Sequence, residues 1–255
     1  MIDKETLIRL AKINGLKPWQ QEKHYVQALI LAIIAEKPVV FKGGTYLWFF
    51  HGLKRFSEDL DFTVSEKGLN NTAETVSKDL ELFGIENKLK IIADNERSLS
   101  FRISAKGPLN TGEIDLCRVY VEISRREPIT KKALPIKADF PAYQLPVKHI
   151  QGMDLEEVGA EKVRAIFSRD KARDFYDLFF LVKEKGIAFN EALIEKKLEY
   201  YDMHFARKTL LQKMKARQKY FSKELGNIVF GELPKFSYCF NTIKKWPKKQ
   251  RKNSR

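Results

Sequence analysis

The segment FKGGTYLWFFHGLKRFSEDLDFTV, residues 41–64, begins with a turn of small residues and closes on two aspartates, Asp59 and Asp61, set in an apolar run. On a β-strand, side chains two apart emerge on one face, so these carboxylates are expected side by side. Their mutual repulsion raises one pKa unless a cation sits between them. A divalent metal is the natural candidate, because Mg²⁺ binds through one or two carboxylates together with substrate phosphates. The competing reading is a solvated strand end, since aspartate is common at exposed ends of elements and in turns. The neighbouring residues decide between them.

Upstream, KPVVFKG reads as a short buried strand, followed by Gly43, Gly44 and Thr45 and then by TYLWFFHGL, an apolar helix ending near Gly52. Asp59 to Val64 reads as the next strand. Glycines allow a backbone to approach a phosphate closely, and a helix N-terminus offers unsatisfied N–H groups and a positive dipole end. Thr45 is placed to cap that helix or to bond a phosphate oxygen. A phosphate cradle and a metal site on one ligand are what phosphoryl or nucleotidyl transfer requires. A plain tight turn is the alternative for the glycine pair alone.

Composition narrows the setting. The chain has 255 residues, 44% hydrophobic and 12% aromatic, which excludes a disordered chain. Its two cysteines, Cys117 and Cys239, match neither a disulfide framework nor a metal-ligand spacing, and both read as small core residues. The N-terminal stretch is polar and amphipathic, unlike a signal peptide, and the longest apolar run, Ala28 to Ala35, is too short to span a bilayer. A soluble cytoplasmic protein with no membrane association is expected. Lys and Arg number 47 against 33 Asp and Glu, a formal charge of +14, which favours a polyanionic partner.

Helical spacing predicts helices over residues 4–13, 18–36 and 73–83, and alternation predicts strands over 85–92, 99–105 and 113–124. The proline-rich LPIKADFPAYQLPVKHI reads as a connector with a short strand. From Asp154 onward four helical patterns follow, the last running from Phe205 to Leu225. The expected class is α+β: an N-terminal half, 1–145, with a mixed sheet flanked by helices; a mainly helical half, 146–241; and a flexible basic tail, 242–255. The tail carries seven basic residues and no acid.

FKGGTYL followed by RFSEDLDF resembles the signature of the minimal nucleotidyltransferases related to DNA polymerase beta, specifically the AbiEii toxin group of AbiE-type abortive-infection systems. A second block, EKVRAIFSRDKARDFYDLFFL at 161–181, is similar to that group's helical segment. The resemblance implies a bilobed enzyme, with a nucleotidyltransferase-like core over 1–145 and a helical domain over 146–241 that completes a nucleotide cleft, which binds a nucleoside triphosphate with Mg²⁺ or Mn²⁺ and transfers the nucleotide to an acceptor. In related toxins the acceptor is RNA, in some cases the 3′ end of tRNA, and a separate antitoxin neutralises the toxin. Here threonine stands where many members have serine.

Such enzymes add a third carboxylate from a neighbouring strand. Glu122 is the candidate, because alternation in RVYVEISRRE turns Tyr120, Glu122 and Ser124 away from Val119, Val121 and Ile123; Asp115 is second. Asp59, Asp61 and Glu122 are thus the expected metal ligands and, with Lys162 and Asp177, the expected catalytic set. The expected nucleotide-binding residues are Lys42, Gly43, Gly44, Thr45, Ser57, Lys162, Arg173 and Asp174. By resemblance Lys162 meets the triphosphate, while Asp174 could orient Arg173 or Lys162; a solvated face of ion pairs is the alternative for this block. The four histidines, His24, His51, His149 and His204, form no metal spacing. Two other functional readings stand beside RNA-directed transfer: a catalytically inactive basic RNA-binding protein on the same fold, and transfer to a small molecule or protein.

Overall fold

A computed structural model describes residues 1–65 and 69–247. They divide into two compact units. The first comprises residues 1–51, 56–129 and 133–152; the second comprises 52–55, 130–132 and 153 onward.

The first unit is built on a seven-stranded sheet. Its elements are α1 (Lys4–Asn14), α2 (Pro18–Ile34), β1 (Val39–Lys42), α3 (Gly43–His51), β2 (Leu60–Val64), α4 (Thr72–Leu82), β3 (Asn87–Asp94), β4 (Ser98–Ala105), β5 (Cys117–Ser124), β6 (Leu134–Ala138) and β7 (Lys148–Gly152). The strand order is β3-β4-β5-β2-β1-β7-β6. Only β2/β5 and β1/β7 pair in parallel, which makes the sheet mixed. Local chemistry sets the helix ends: the Asp3 carboxylate accepts from Thr6 N at 2.7 Å, Gly15 closes α1 in the left-handed conformation, and Pro18 opens α2. The apolar run in α2 is core, with Leu29, Ile30 and Leu31 fully buried. Among the described residues no helix is long and apolar enough to cross a membrane.

The proline-rich segment departs from expectation. It forms two strands, β6 and β7, paired antiparallel, rather than one. Two of its three prolines fall where a missing N–H is harmless: Pro135 on β6, the sheet's edge strand, and Pro141 at the start of a single 3₁₀ turn. Because β7 pairs with β1, the sheet-bearing unit extends to Gly152.

The second unit holds α5 (Leu155–Ser168), α6 (Ala172–Lys183), α7 (Glu191–Glu199), α8 (Arg207–Ala216), α9 (Gln218–Leu225) and α10 (Phe236–Lys244). The pattern read as one helix over 205–225 is two, breaking at Arg217. The basic tail expected to be flexible from Thr242 is packed as far as Pro247: Ile243 and Trp246 are buried, and Trp246 Nε1 donates to Ile187 O at 2.7 Å. The apolar face of α10, with Cys239 and Ile243 buried, draws the start of that tail into the packing. The rest of that tail, 248–255, lies outside the described residues.

Candidate active site

The strands that carry the acids are neighbours. β2 and β5 run parallel with Leu60 opposite Val121, Asp61 opposite Glu122 and Phe62 opposite Ile123. Leu60, Phe62, Val121 and Ile123 are buried, so alternation turns Asp61 and Glu122 to the other face together. Across β2's other edge, Asp61 is level with Lys42 of β1, itself buried, an opposite-charge cross-strand position. Asp59 lies one residue before β2.

The small-residue turn is fastened to these acids. Gly43 has φ +80°, a conformation side chains rarely adopt, and a Cβ there would collide with the Asp61 carboxylate. Two physical demands therefore select glycine. Gly44 and Thr45 are buried in the first turn of α3. The Thr45 hydroxyl donates to the Asp59 carbonyl at 2.5 Å. Through this proton Thr45, expected to cap the helix or bond a phosphate, ties α3 to the approach of β2. Ser57 is half-buried, and its carbonyl accepts from Gln27 Nε2 at 3.2 Å.

Register separates the two candidates for the third acid. Glu122 sits beside Asp61 and pairs with Arg126, whose Nε also donates to Ser124 Oγ at 3.3 Å. Asp115 precedes β5 and closes its own loop, accepting from Thr111 Oγ1 at 2.6 Å and Gly112 N at 3.0 Å. The Thr111 bond above all holds the Asp115 carboxyl below the usual range.

The second sequence block forms a buried charge network within the helical unit. Lys162 Nζ reaches Asp177 Oδ2 at 2.6 Å and Asp174 Oδ1 at 3.2 Å, and Arg169 Nε donates to Asp174 Oδ2 at 2.8 Å. Arg55 completes it with two bonds of 2.6 Å to Asp177, from Nε and Nη2. Burial pushes both aspartates up, but Lys162 and Arg169 at Asp174, and Arg55 and Lys162 at Asp177, overcome it and hold both carboxyls below their usual range. Lys162 is itself buried, so the ammonium expected to meet a triphosphate is engaged by two aspartates; Arg173 is half-buried. Arg55 was not singled out in the sequence, although it lies in the quoted RFSEDLDF; an arginine between an apolar helix and an acidic pair was the available signal.

Among the described residues no group of three or more His, Cys, Asp and Glu side chains is placed to hold a metal ion. A hard cation needs fewer: Mg²⁺ takes one or two carboxylates and completes its shell with water and phosphate oxygens. Asp61 and Glu122, all-oxygen donors at one register on adjacent strands, fit that requirement.

Fold and sequence place the chain among the nucleotidyltransferases. It belongs to the family described as nucleotidyl transferase AbiEii toxin, type IV TA system, which matches residues 27–245. Similar solved structures include a candidate nucleotidyltransferase from H. pylori (TM-score 0.65, 23% identity, covering 89% of this chain and 92% of that one). JHP933 from Helicobacter pylori matches with TM-score 0.63 and 23% identity over 88% of each chain. MenT4, the nucleotidyltransferase toxin Rv2826c from Mycobacterium tuberculosis H37Rv, matches with TM-score 0.64 and 19% identity, covering 96% of this chain and 88% of that one. At these identities the structures share the fold. No curated protein matches the sequence.

Proposed function

We propose that this nucleotidyltransferase moves a nucleotide from a nucleoside triphosphate to an RNA acceptor, as the toxin of a pair with a cognate antitoxin. The observation that carries the reading is the placement of Asp61 and Glu122 at one register beside the Gly43 turn. Mg²⁺, or Mn²⁺ in its place, would be held by Asp61 and Glu122, with Asp59 adding negative charge beside it, and would supply charge neutralisation at the reacting phosphate oxygens. Lys42 and the α3 N-terminus, beginning at Gly43, supply positive charge beside the acids, where a phosphate would be favoured. Lys162, Asp174 and Asp177 are assigned a holding role with Arg55, since their charges are already matched within the helical unit. An RNA acceptor is supported by the formal charge of +14.

The test is incubation of the purified protein with each labelled triphosphate, Mg²⁺ and total cellular RNA. Label is expected in a discrete RNA band with one triphosphate, and in none for Asp61→Asn. Label appearing only in protein or small molecules replaces the RNA acceptor by one of those.

A further inference from the structure

The face that carries Asp61 and Glu122 continues outward across β5, β4 and β3. Along β5, Cys117, Val119, Val121 and Ile123 are buried while Arg118 and Tyr120 are exposed on Glu122's face. Cross-strand register extends the row. Tyr120 lies opposite Arg102, and Arg118 opposite Ser104, on β4; Lys90 lies opposite Arg102 on β3. Tyr120 is 42% exposed, and the Arg102 guanidinium carbon stands 6.0 Å from its ring centroid. Arg102 Nε is buried without a hydrogen-bond partner. Three acids of these strands and their connections are already paired: Glu122 with Arg126, Glu113 with Lys88 at 2.7 Å and Asp94 with Arg125 at 2.8 Å. Among the described residues no acid pairs with Arg102, Arg118 or Lys90.

We propose that this face of β3, β4 and β5 binds the single-stranded end of the RNA acceptor, with a base stacked on Tyr120 and phosphates on Arg102, Arg118 and Lys90. The inference rests on the RNA-acceptor reading above and gives it a location. Tyr120 is two residues, about 7 Å, from Glu122 along β5, so the stacked base lies roughly one nucleotide from the carboxylates. An exposed aromatic between unpaired cations on an open sheet fits single-stranded RNA, because every base has a π-face and the backbone meets the charges. A duplex hides its base faces in its own stack and could not use the tyrosine. An acidic protein surface would use the cations and leave the ring idle.

The experiment is anisotropy of a short labelled oligoadenylate titrated with the full chain at several salt concentrations. Binding of labelled triphosphate is measured on the same variants. Tyr120→Ala is expected to weaken RNA binding roughly tenfold or more, and Tyr120→Phe to preserve it, because the ring and not the hydroxyl is used. The Arg102→Ala/Arg118→Ala double variant should lower the slope of log affinity against log salt by about 1.4. Triphosphate binding should stay at the wild-type level throughout. Unchanged RNA affinity and slope in all variants, with transfer to RNA intact, overturns the platform and leaves the RNA reading standing. A wild-type protein that neither binds the oligonucleotide nor labels RNA overturns both. Loss of antitoxin neutralisation in the arginine variant, with RNA affinity retained, overturns the platform by making the face a protein-docking surface.

Discussion

Gly43 meets two demands, a left-handed backbone and close approach to the Asp61 carboxylate, and Gly52 separates them experimentally. Gly52 has φ +78° with nothing near the position of a Cβ. Alanine at either position should cost about 1–2 kcal/mol through backbone strain. Gly43→Ala also displaces Asp61 and is expected to abolish transfer, whereas Gly52→Ala should lose stability alone; equal activity in the two variants would refute the collision argument. Asp59→Asn and Asp61→Asn should each abolish transfer in protein that still folds by circular dichroism; at Asp61 the relief of like-charge repulsion is set against loss of the charge level with buried Lys42. A different titration governs stability. His24 sits among Trp48, Phe49, Phe140 and Tyr143, its Nδ1 2.6 Å from the Tyr143 hydroxyl, and burial lowers its pKa to about 4. The unfolded chain then binds a proton that the folded chain refuses between pH 6.5 and 4, so stability is full above that window and falls through it, by about 3 kcal/mol at the acid end. Asp174 and Asp177 do not contribute there, since a depressed carboxyl loses its stabilisation only below the ordinary carboxylate range. Urea unfolding at pH 7 and pH 4.5 should show a large drop for wild type and a much smaller one for His24→Gln; parallel losses would exclude His24.

At the scale of elements, the α5–α6 pair is cross-braced by Arg55, Lys162, Arg169, Asp174 and Asp177, all within the helical unit. Removing one member of a buried set leaves its partners' charge uncompensated, typically at 3–5 kcal/mol. Asp177→Ala strands two cations and should be the most damaging change. Thermal unfolding should rank Asp177→Ala below Arg55→Met, and Lys162→Met should bind labelled triphosphate with wild-type affinity once folded. Weakened binding in folded Lys162→Met would return that lysine to the nucleotide site. The pairing also shows what the sequence could convey. Asp174 and Asp177 stand three apart on one helix and Lys162 on the preceding one, so local spacing brought these three together in advance. Arg55 lies 122 residues from Asp177 and no periodicity connects them. Strand β1 was legible as a short apolar run before a glycine turn, and β2 and β5 because buried apolar residues alternate with the acids, an alternation that also fixed which face Glu122 takes. The partner strand of Glu122 was not legible, because the parallel β2/β5 register is tertiary. Prolines hid one strand of the β6/β7 pair, since Pro135 lies on β6, the edge strand, where the usual penalty is absent, and the lysines from Lys244 onward hid the end of α10.

Over the whole molecule, the excess of positive charge has two candidate carriers, the platform on β3, β4 and β5 and the basic C-terminal run, and two truncations distinguish them. Residues 242–247 belong to the helical unit: Phe189 N donates to Pro247 O at 2.8 Å, and Arg207 Nη2 donates to Lys244 O at 3.0 Å and Trp246 O at 3.1 Å. Cutting the chain before Thr242 removes buried Ile243 and Trp246, and losing a buried tryptophan alone typically costs 3–5 kcal/mol. That truncation is expected to lower the melting temperature strongly, so its RNA affinity would report on unfolding. Cutting after Pro247 removes Lys248, Lys249, Arg251, Lys252 and Arg255 and spares the packing of α10 and Trp246. It should leave the melting curve in place. If these residues hold RNA, the slope of log affinity against log salt falls by about 0.7 for each phosphate of a single strand that they neutralise. If the sheet face is the principal carrier, the slope changes little on this truncation and falls when Arg102 and Arg118 are replaced in the shortened chain. A shortened protein that binds RNA no more tightly at low salt than at high salt, with both arginines in place, would assign the acceptor to the C-terminal run and remove it from the sheet.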